Sequence, residues 1–145
     1  FLRVLVGYWF LHAGLTKVLL GFSAAGYMRF ASQGAITEPI MQAFGSGALL
    51  TFTELAIGWG ELLIGVGLLV GALVRLASFF GAFLMVFFYV TNHGWANGMA
   101  SGDLWGVLLF VTIALMGAGR VWGLDEWLED TDFARRNAWT RYLLG

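Results

Sequence analysis

Residues 51–74 read TFTELAIGWGELLIGVGLLVGALV, a glycine-rich apolar run whose only charges are Glu54 and Glu61. The run is long enough to cross a bilayer as a helix. At about 100° per residue the two glutamates fall on one helical face, two turns apart. A carboxylate at membrane depth costs several kcal/mol unless it is paired, wet or protonated, so it is by default a mark of function. The fold and the candidate chemistry both start from this segment.

The rest of the chain fits the same solvent. Of its 145 residues, 59% are hydrophobic, 17% aromatic and only 12% charged, and the mean hydropathy is +0.79. Soluble domains carry about twice that charged share. A bilayer, unlike water, solvates apolar side chains without penalty. A net charge of −1 argues against nucleic acid as a partner. With no cysteine, thiol nucleophiles and cysteine-ligated clusters are excluded within the chain. The chain opens at Phe1 rather than Met, so a leader ahead of it is expected, and the first apolar stretch is no cleavable signal peptide because Lys17 interrupts it.

Four apolar segments emerge at a window of about 19 residues, over roughly 2–22, 48–74, 76–92 and 103–120. Strands are not expected, since a membrane barrel needs many alternating segments of about ten residues. The expectation is an all-α, integral membrane four-helix bundle over 1–120 with an amphipathic interfacial tail over 121–145. The second and third helices form a tight antiparallel hairpin around Arg75. Residues 22–47, FSAAGYMRFASQGAITEPIMQAFGSG, hold the only proline, Pro39. Tyr27, Met28, Phe30, Ile36, Ile40, Met41 and Phe44 make this loop a candidate lid lying in the interface or over the bundle mouth. The tail concentrates five of the nine acids and three of the eight bases. Leu124, Trp127 and Leu128 share one stripe and Trp139, Tyr142 and Leu143 another, with Asp132 as a candidate cap. A tryptophan-anchored surface tail and a docking surface for a partner subunit both fit. Arg3, Arg75, Arg120 and the tail arginines stand at one end against Lys17 and Arg29 at the other. This balance places the chain in the cell membrane as a multi-pass protein with both termini cytoplasmic.

On the first helix Arg3, Gly7, Phe10, Gly14, Lys17 and Gly21 share a stripe; on the second, Thr51, Glu54, Gly58, Glu61, Gly65, Leu68 and Ala72 make another. Small residues admit close approach and charges avoid lipid, so the stripes are expected to face each other and bring Arg3 and Lys17 to the carboxylates. Antiparallel geometry puts Lys17 at a depth close to Glu54, with Glu61 deeper and Arg3 nearer the opposite end. Structural ion pairing is the alternative to a binding role for these groups. Asn92 and His93 end the third helix and Asp103 opens the fourth, where the helix dipole favours an acid. Each has a plain reading as a cap or loop-edge polar group, but together they line one rim, and a histidine near a carboxylate suits proton transfer. His12, beside Tyr8 and Trp9, points away from the charged stripe and reads as a packed or interfacial histidine. No haem or metal is expected within this chain.

The runs RVLVGYWFLHAGLTKVLLGFSAAGY (3–27), GELLIGVGLLVGALVRLASFFGAFLM (60–85) and GAGRVWGLDEWLEDTDFARRNAWTRYLLG (117–145) resemble the DoxX/DoxD family of small four-helix membrane proteins, particularly its haloarchaeal members. The most specific matches are Arg3, Gly14 and Lys17, and the series Gly60, Glu61, Leu62, Leu63, Gly71 and Arg75. The resemblance implies likeness to the small subunit of thiosulfate:quinone oxidoreductase, which passes electrons from thiosulfate to a membrane quinone. In that family an acidic residue followed by histidine often opens the fourth helix, whereas here Leu104 follows Asp103, leaving His93 as the available substitute.

Two functional readings follow. In the first, the chain is a quinone-linked oxidoreductase subunit in which Glu61, His93 and Asp103 handle protons while Arg3, Lys17, Glu54 and Asn92 bind a quinone head group or a sulfur oxyanion. Its electrons must come from a partner subunit or from substrate. In the second, the chain is a non-catalytic anchor or accessory subunit whose surfaces pack other membrane or redox chains, or copies of itself, within the lipid.

Overall fold

The computed structural model describes residues 1–30, 37–91 and 99–145, and every regular element among them is helical. In chain order these are α1 (Leu2–Leu20), α2 (Ala25–Phe30), α3 (Thr37–Phe44), α4 (Gly47–Val70), α5 (Val74–Thr91), α6 (Gly102–Leu115), α7 (Leu124–Glu129) and α8 (Asp132–Arg136), with 3-10 turns at Ala118–Arg120 and Ala138–Tyr142. Two helices, α4 with 24 residues and α5 with 18, are long and apolar enough to cross a membrane. At 1.5 Å per residue they reach roughly 36 and 27 Å, against a hydrocarbon core of about 30 Å. Their outward faces, with Leu55, Trp59 and Leu63 on α4 and Phe79, Phe80 and Phe83 on α5, are exposed and dominated by apolar side chains, as suits a lipid-facing surface.

The fourth expected segment, 103–120, is shorter as a helix. α6 has 14 residues, and beyond it Gly117 at φ 58 turns the chain into the 3-10 turn. That turn carries Arg120 to Glu129, with Nε 2.9 Å from Oε1. The hairpin between α4 and α5 is made by residues 71–73. Gly71 takes φ 72 and returns its N–H to the Gly67 carbonyl, closing α4. Leu73 follows at φ 52, a conformation its side chain disfavours.

α1 runs antiparallel to α4 at a separation that only glycine permits. A Cβ on Gly14 would come within 2.6 Å of the Leu62 Cα, and one on Gly65 within 2.6 Å of the Leu11 Cα. The two small-and-charged stripes therefore face each other. α5 and α6 are also antiparallel, with Gly81 against the Phe110 ring and Gly106 against Met85. The Phe10 and Phe110 rings meet edge to face, centroids 4.7 Å apart, and join α1 to α6. One buried core takes residues from all four of these helices, among them Phe10, Leu68, Val74, Phe110 and Ile113.

The loop over 22–47 supplies a second core. Ala24 and Met28 from the α2 region and Met41 from α3 close over Ile57 of α4. Tyr27 and Phe44 are half-buried and Ile40 is exposed, while Ile36 lies outside the described residues. Pro39 falls in the first turn of α3, where its missing N–H has no helical partner to lose.

The tail folds back on the end of the helices. The Leu76 N–H donates to the Leu143 carbonyl at 3.2 Å, and Arg75 Nη1 donates to the Arg141 carbonyl at 2.6 Å. Asp132 is not the cap: Thr131 holds that place, its hydroxyl accepting from the Ala134 N–H at 3.3 Å, and Asp132 is the first helical residue.

Candidate functional site

The register of α1 on α4 decides which charges meet. Gly58 stands opposite Lys17, so that a Cβ there would lie 3.6 Å from the Lys17 Cβ. Lys17 thus sits between the levels of Glu54 and Glu61. Helical side chains tilt toward their own N-terminus. Because the helices are antiparallel, this tilt carries Lys17 toward later residues of α4 and brings Glu61 back to meet it, while Glu54 leans away. Lys17 Nζ accordingly lies 2.5 Å from Glu61 Oε2, correcting the depth argument that paired Lys17 with Glu54. Glu61 is 4% exposed. Glu54 turns instead to the loop, where its Oε1 accepts the Ala24 N–H at 2.9 Å.

Beside this pair lies a pocket of about 240 Å³, lined by Lys17, Val18, Phe22, Thr51, Glu54, Leu55, Gly58 and Trp59. It holds one base and one acid between flat and aliphatic walls. Lys17 Nζ also sits 5.5 Å from the Phe22 ring centroid, within cation–π range. The Gly14 and Gly65 contacts set the distance between α1 and α4, the two helices that supply most of its lining.

The expected rim is only partly visible. Asn92 and His93 lie outside the described residues. Asp103 occupies the first turn of α6, after Ser101, whose hydroxyl accepts from the Leu104 N–H at 3.4 Å. Sequence reasoning missed Tyr27 here. Its hydroxyl lies 2.8 Å from Thr91 Oγ1, and Thr91 spends its own proton on the Phe87 carbonyl at 2.8 Å, so Tyr27 is the donor. Burial pushes the Tyr27 phenol above its usual 10.0; the bond to Thr91 opposes this and the Asp103 charge adds to it.

Arg3 is the clearest departure from the expected cluster. It is 7% exposed at the opposite end of α1, where Nη2 donates to the Trp122 carbonyl at 2.9 Å and Nη1 has no acceptor among the described residues. The backbones of Gly71 and Gly123 press against this guanidinium, and it meets neither glutamate. Nearby is Asp125, fully buried and also missed. Its carboxylate accepts the N–H groups of Leu73 at 2.7 Å, Val74 at 2.9 Å and Gly145 at 3.0 Å. It therefore caps α5 and ties the tail to the α4–α5 turn. His12 is exposed, 6.2 Å ring to ring from Tyr8. No group of three His, Asp or Glu side chains able to hold a metal occurs among the described residues.

A family model described as DoxX matches residues 1–94. The chain belongs to the DoxX family. The matched span runs from α1 through α5 and holds Arg3, Lys17, Glu54, Glu61, Asn92 and His93; Asp103, Asp125 and the whole tail lie beyond it. Family membership and the two long apolar helices together make this a membrane protein. No curated protein and no solved structure matches the chain.

Proposed function

We propose that this DoxX-family chain is the membrane subunit of a quinone-linked oxidoreductase, similar to the small subunit of thiosulfate:quinone oxidoreductase, and that the pocket between α1 and α4 takes the quinone head group. The observation that carries the reading is the Lys17–Glu61 pair, set deep between the two helices beside a pocket that holds a second acid. The residues present fit such a ring. Phe22 and Trp59 offer flat walls, Lys17 offers a donor, and Glu54 places a proton-carrying group on the same pocket.

Bound there, a quinone would supply acceptance of two electrons and two protons. Lys17 would orient a carbonyl oxygen by donating a hydrogen bond, in a setting of low dielectric where such a bond is strong. Glu61 holds the ammonium in place. Glu54 is the carboxyl that would pass a proton to the ring, and Tyr27 and Asp103, with Asn92 and His93 outside the described residues, are the groups that would resupply it. Arg3 stands too far away to help, so a doubly charged sulfur oxyanion has only one cation near the pocket, and that one is already neutralised. The electron donor's site therefore belongs to a partner subunit.

The proposed topology is a four-helix bundle crossing the cell membrane, both termini cytoplasmic. Arg3 and Arg75 bond to the tail and Arg120 pairs with Glu129, which gathers them at one end. Lys17 lies within the span, leaving Arg29 as the opposing base among the described residues.

A second reading, a non-catalytic anchor, is favoured by one observation: Lys17, Glu61, Glu54 and Asp125 each already hold a structural bond. The discriminating experiment follows quinone-linked turnover and assembly in membranes carrying Glu61→Gln. Lost turnover with intact assembly supports the redox subunit; unchanged turnover with saturating quinone supports the anchor.

A further inference from the structure

α1 carries a polar group that its surroundings do not explain. His12 is exposed on the outward face, and its imidazole makes no hydrogen bond among the described residues. Its depth is fixed by the packing: Leu11 touches Gly65 and Lys17 faces Gly58, so His12 lies at the middle of α1, level with Ile64 of α4. The other outward rows differ. Leu55, Trp59, Leu63 and Val66 on α4, and Phe79, Phe83, Val86 and Val90 on α5, carry one polar atom, the Trp59 indole nitrogen, which is a donor only, and no group that both donates and accepts. Two exposed threonines satisfy themselves, Thr16 on the His12 carbonyl and Thr112 on the Leu108 carbonyl, at 2.7 Å each. An imidazole has no such recourse, and lipid tails offer it nothing.

We propose that the outward face of α1 is the seam of a homodimer, held at its centre by His12 of the two copies. Two arguments select a second copy as the occupant. A neutral imidazole carries one donor nitrogen and one acceptor nitrogen, so two identical side chains complement each other. Copies inserted in the same orientation bring the same residue to the same depth, so His12 meets His12 of the second copy without any further adjustment. The seam has the matching geometry. Phe1, Leu5, Tyr8, His12, Leu15 and Leu19 are all exposed and recur at alternating spacings of four and three. That spacing keeps one face toward a parallel neighbour, and a single polar residue at a central position sets its register.

The absence of cysteine makes the test direct. In vesicles of the intact chain, Leu15→Cys on the seam and Leu63→Cys on the outward face of α4 are each oxidised. The expected result is a disulfide-linked dimer for Leu15→Cys only. Adding His12→Leu, an exposed change that leaves the core untouched, should weaken dimerisation by a factor of about 3 to about 20, the range of one interhelical hydrogen bond in a bilayer. Equal cross-linking at both positions, none at either, cross-linking of Leu15→Cys to a different chain, or no effect of His12→Leu would each overturn the proposal.

Discussion

The two ends of the α1–α4 pair use the same ingredients to opposite effect. At the tail end, Asp125 is saturated by three backbone N–H groups and Arg3 is wedged between the backbones of Gly71 and Gly123. Main-chain groups pack against both side chains, and both are buried. At the loop end, Lys17 and Glu61 satisfy each other side chain to side chain, Glu54 accepts one bond, and a pocket of about 240 Å³ adjoins them. Charge buried among backbone groups is a fastener. Charge held by another movable side chain, next to open space, is available for exchange. The contrast, more than the presence of acids in an apolar chain, singles out the loop end as the site.

The contrast breaks first if the fastener proves dispensable. Asp125→Ala leaves three buried N–H groups without an acceptor, at about 1 to 3 kcal/mol each, and should cost about 4 kcal/mol or more. Thermal unfolding in micelles checks this; a loss below about 1 kcal/mol would mean that the tail does not lock the α4–α5 turn. The next effect belongs to the exchangeable pair. Lys17→Met strands the Glu61 carboxylate and should cost about 3 kcal/mol, whereas combining it with Glu61→Leu should return stability to within about 1 kcal/mol of the parent, because an ion pair in an apolar setting is replaceable by apolar packing. Non-recovery in the double variant would show that other groups depend on this pair and that it, too, is a fastener.

The legibility of these regions in the sequence follows from what periodicity can and cannot encode. The stripes on α1 and α4 were legible because a glycine stripe seven residues apart has one steric use, and the structure indeed seats Gly14 and Gly65 on backbone. The partner of Lys17 was not, because depth along two rods ignores the tilt of side chains, which shifts each charge by most of a turn in opposite directions. Asp125 was hidden for a different reason. The stripe of Leu124, Trp127 and Leu128 reads as a surface anchor or docking face, and Leu124 and Trp127 are exposed, but nothing in that pattern marks the acid between them as the buried residue. At the end of a membrane bundle, apolar side chains have lipid as a second solvent, so hydrophobicity no longer marks the interior. Arg3 misled similarly: its stripe was right, but its destination depends on residues 122 and 123, a connection that only tertiary structure makes.

Two smaller effects sharpen the comparison at the loop end. Glu54→Gln keeps an oxygen for the Ala24 N–H and should leave stability within about 0.5 kcal/mol. Binding of a short-chain benzoquinone, read as saturable quenching of tryptophan fluorescence, should nevertheless weaken, and a parent chain that shows no saturable quenching removes the pocket from consideration. The smallest effect concerns the rim. Burial and Asp103 raise the Tyr27 phenol above 10.0, so the folded chain keeps this proton where the unfolded chain loses it. That contribution is present in full below the unfolded value and drains away as the pH climbs through the higher folded one. Other groups titrate in the same range, and the informative quantity is the difference between the parent and Tyr27→Phe. The parent should lose stability more steeply than the variant above pH 10, because only the parent must ionise a phenol that is half-buried and faces an acid. Parallel profiles would place Tyr27 in contact with solvent and leave the rim open, which removes the enclosure that makes the loop end a site rather than a surface.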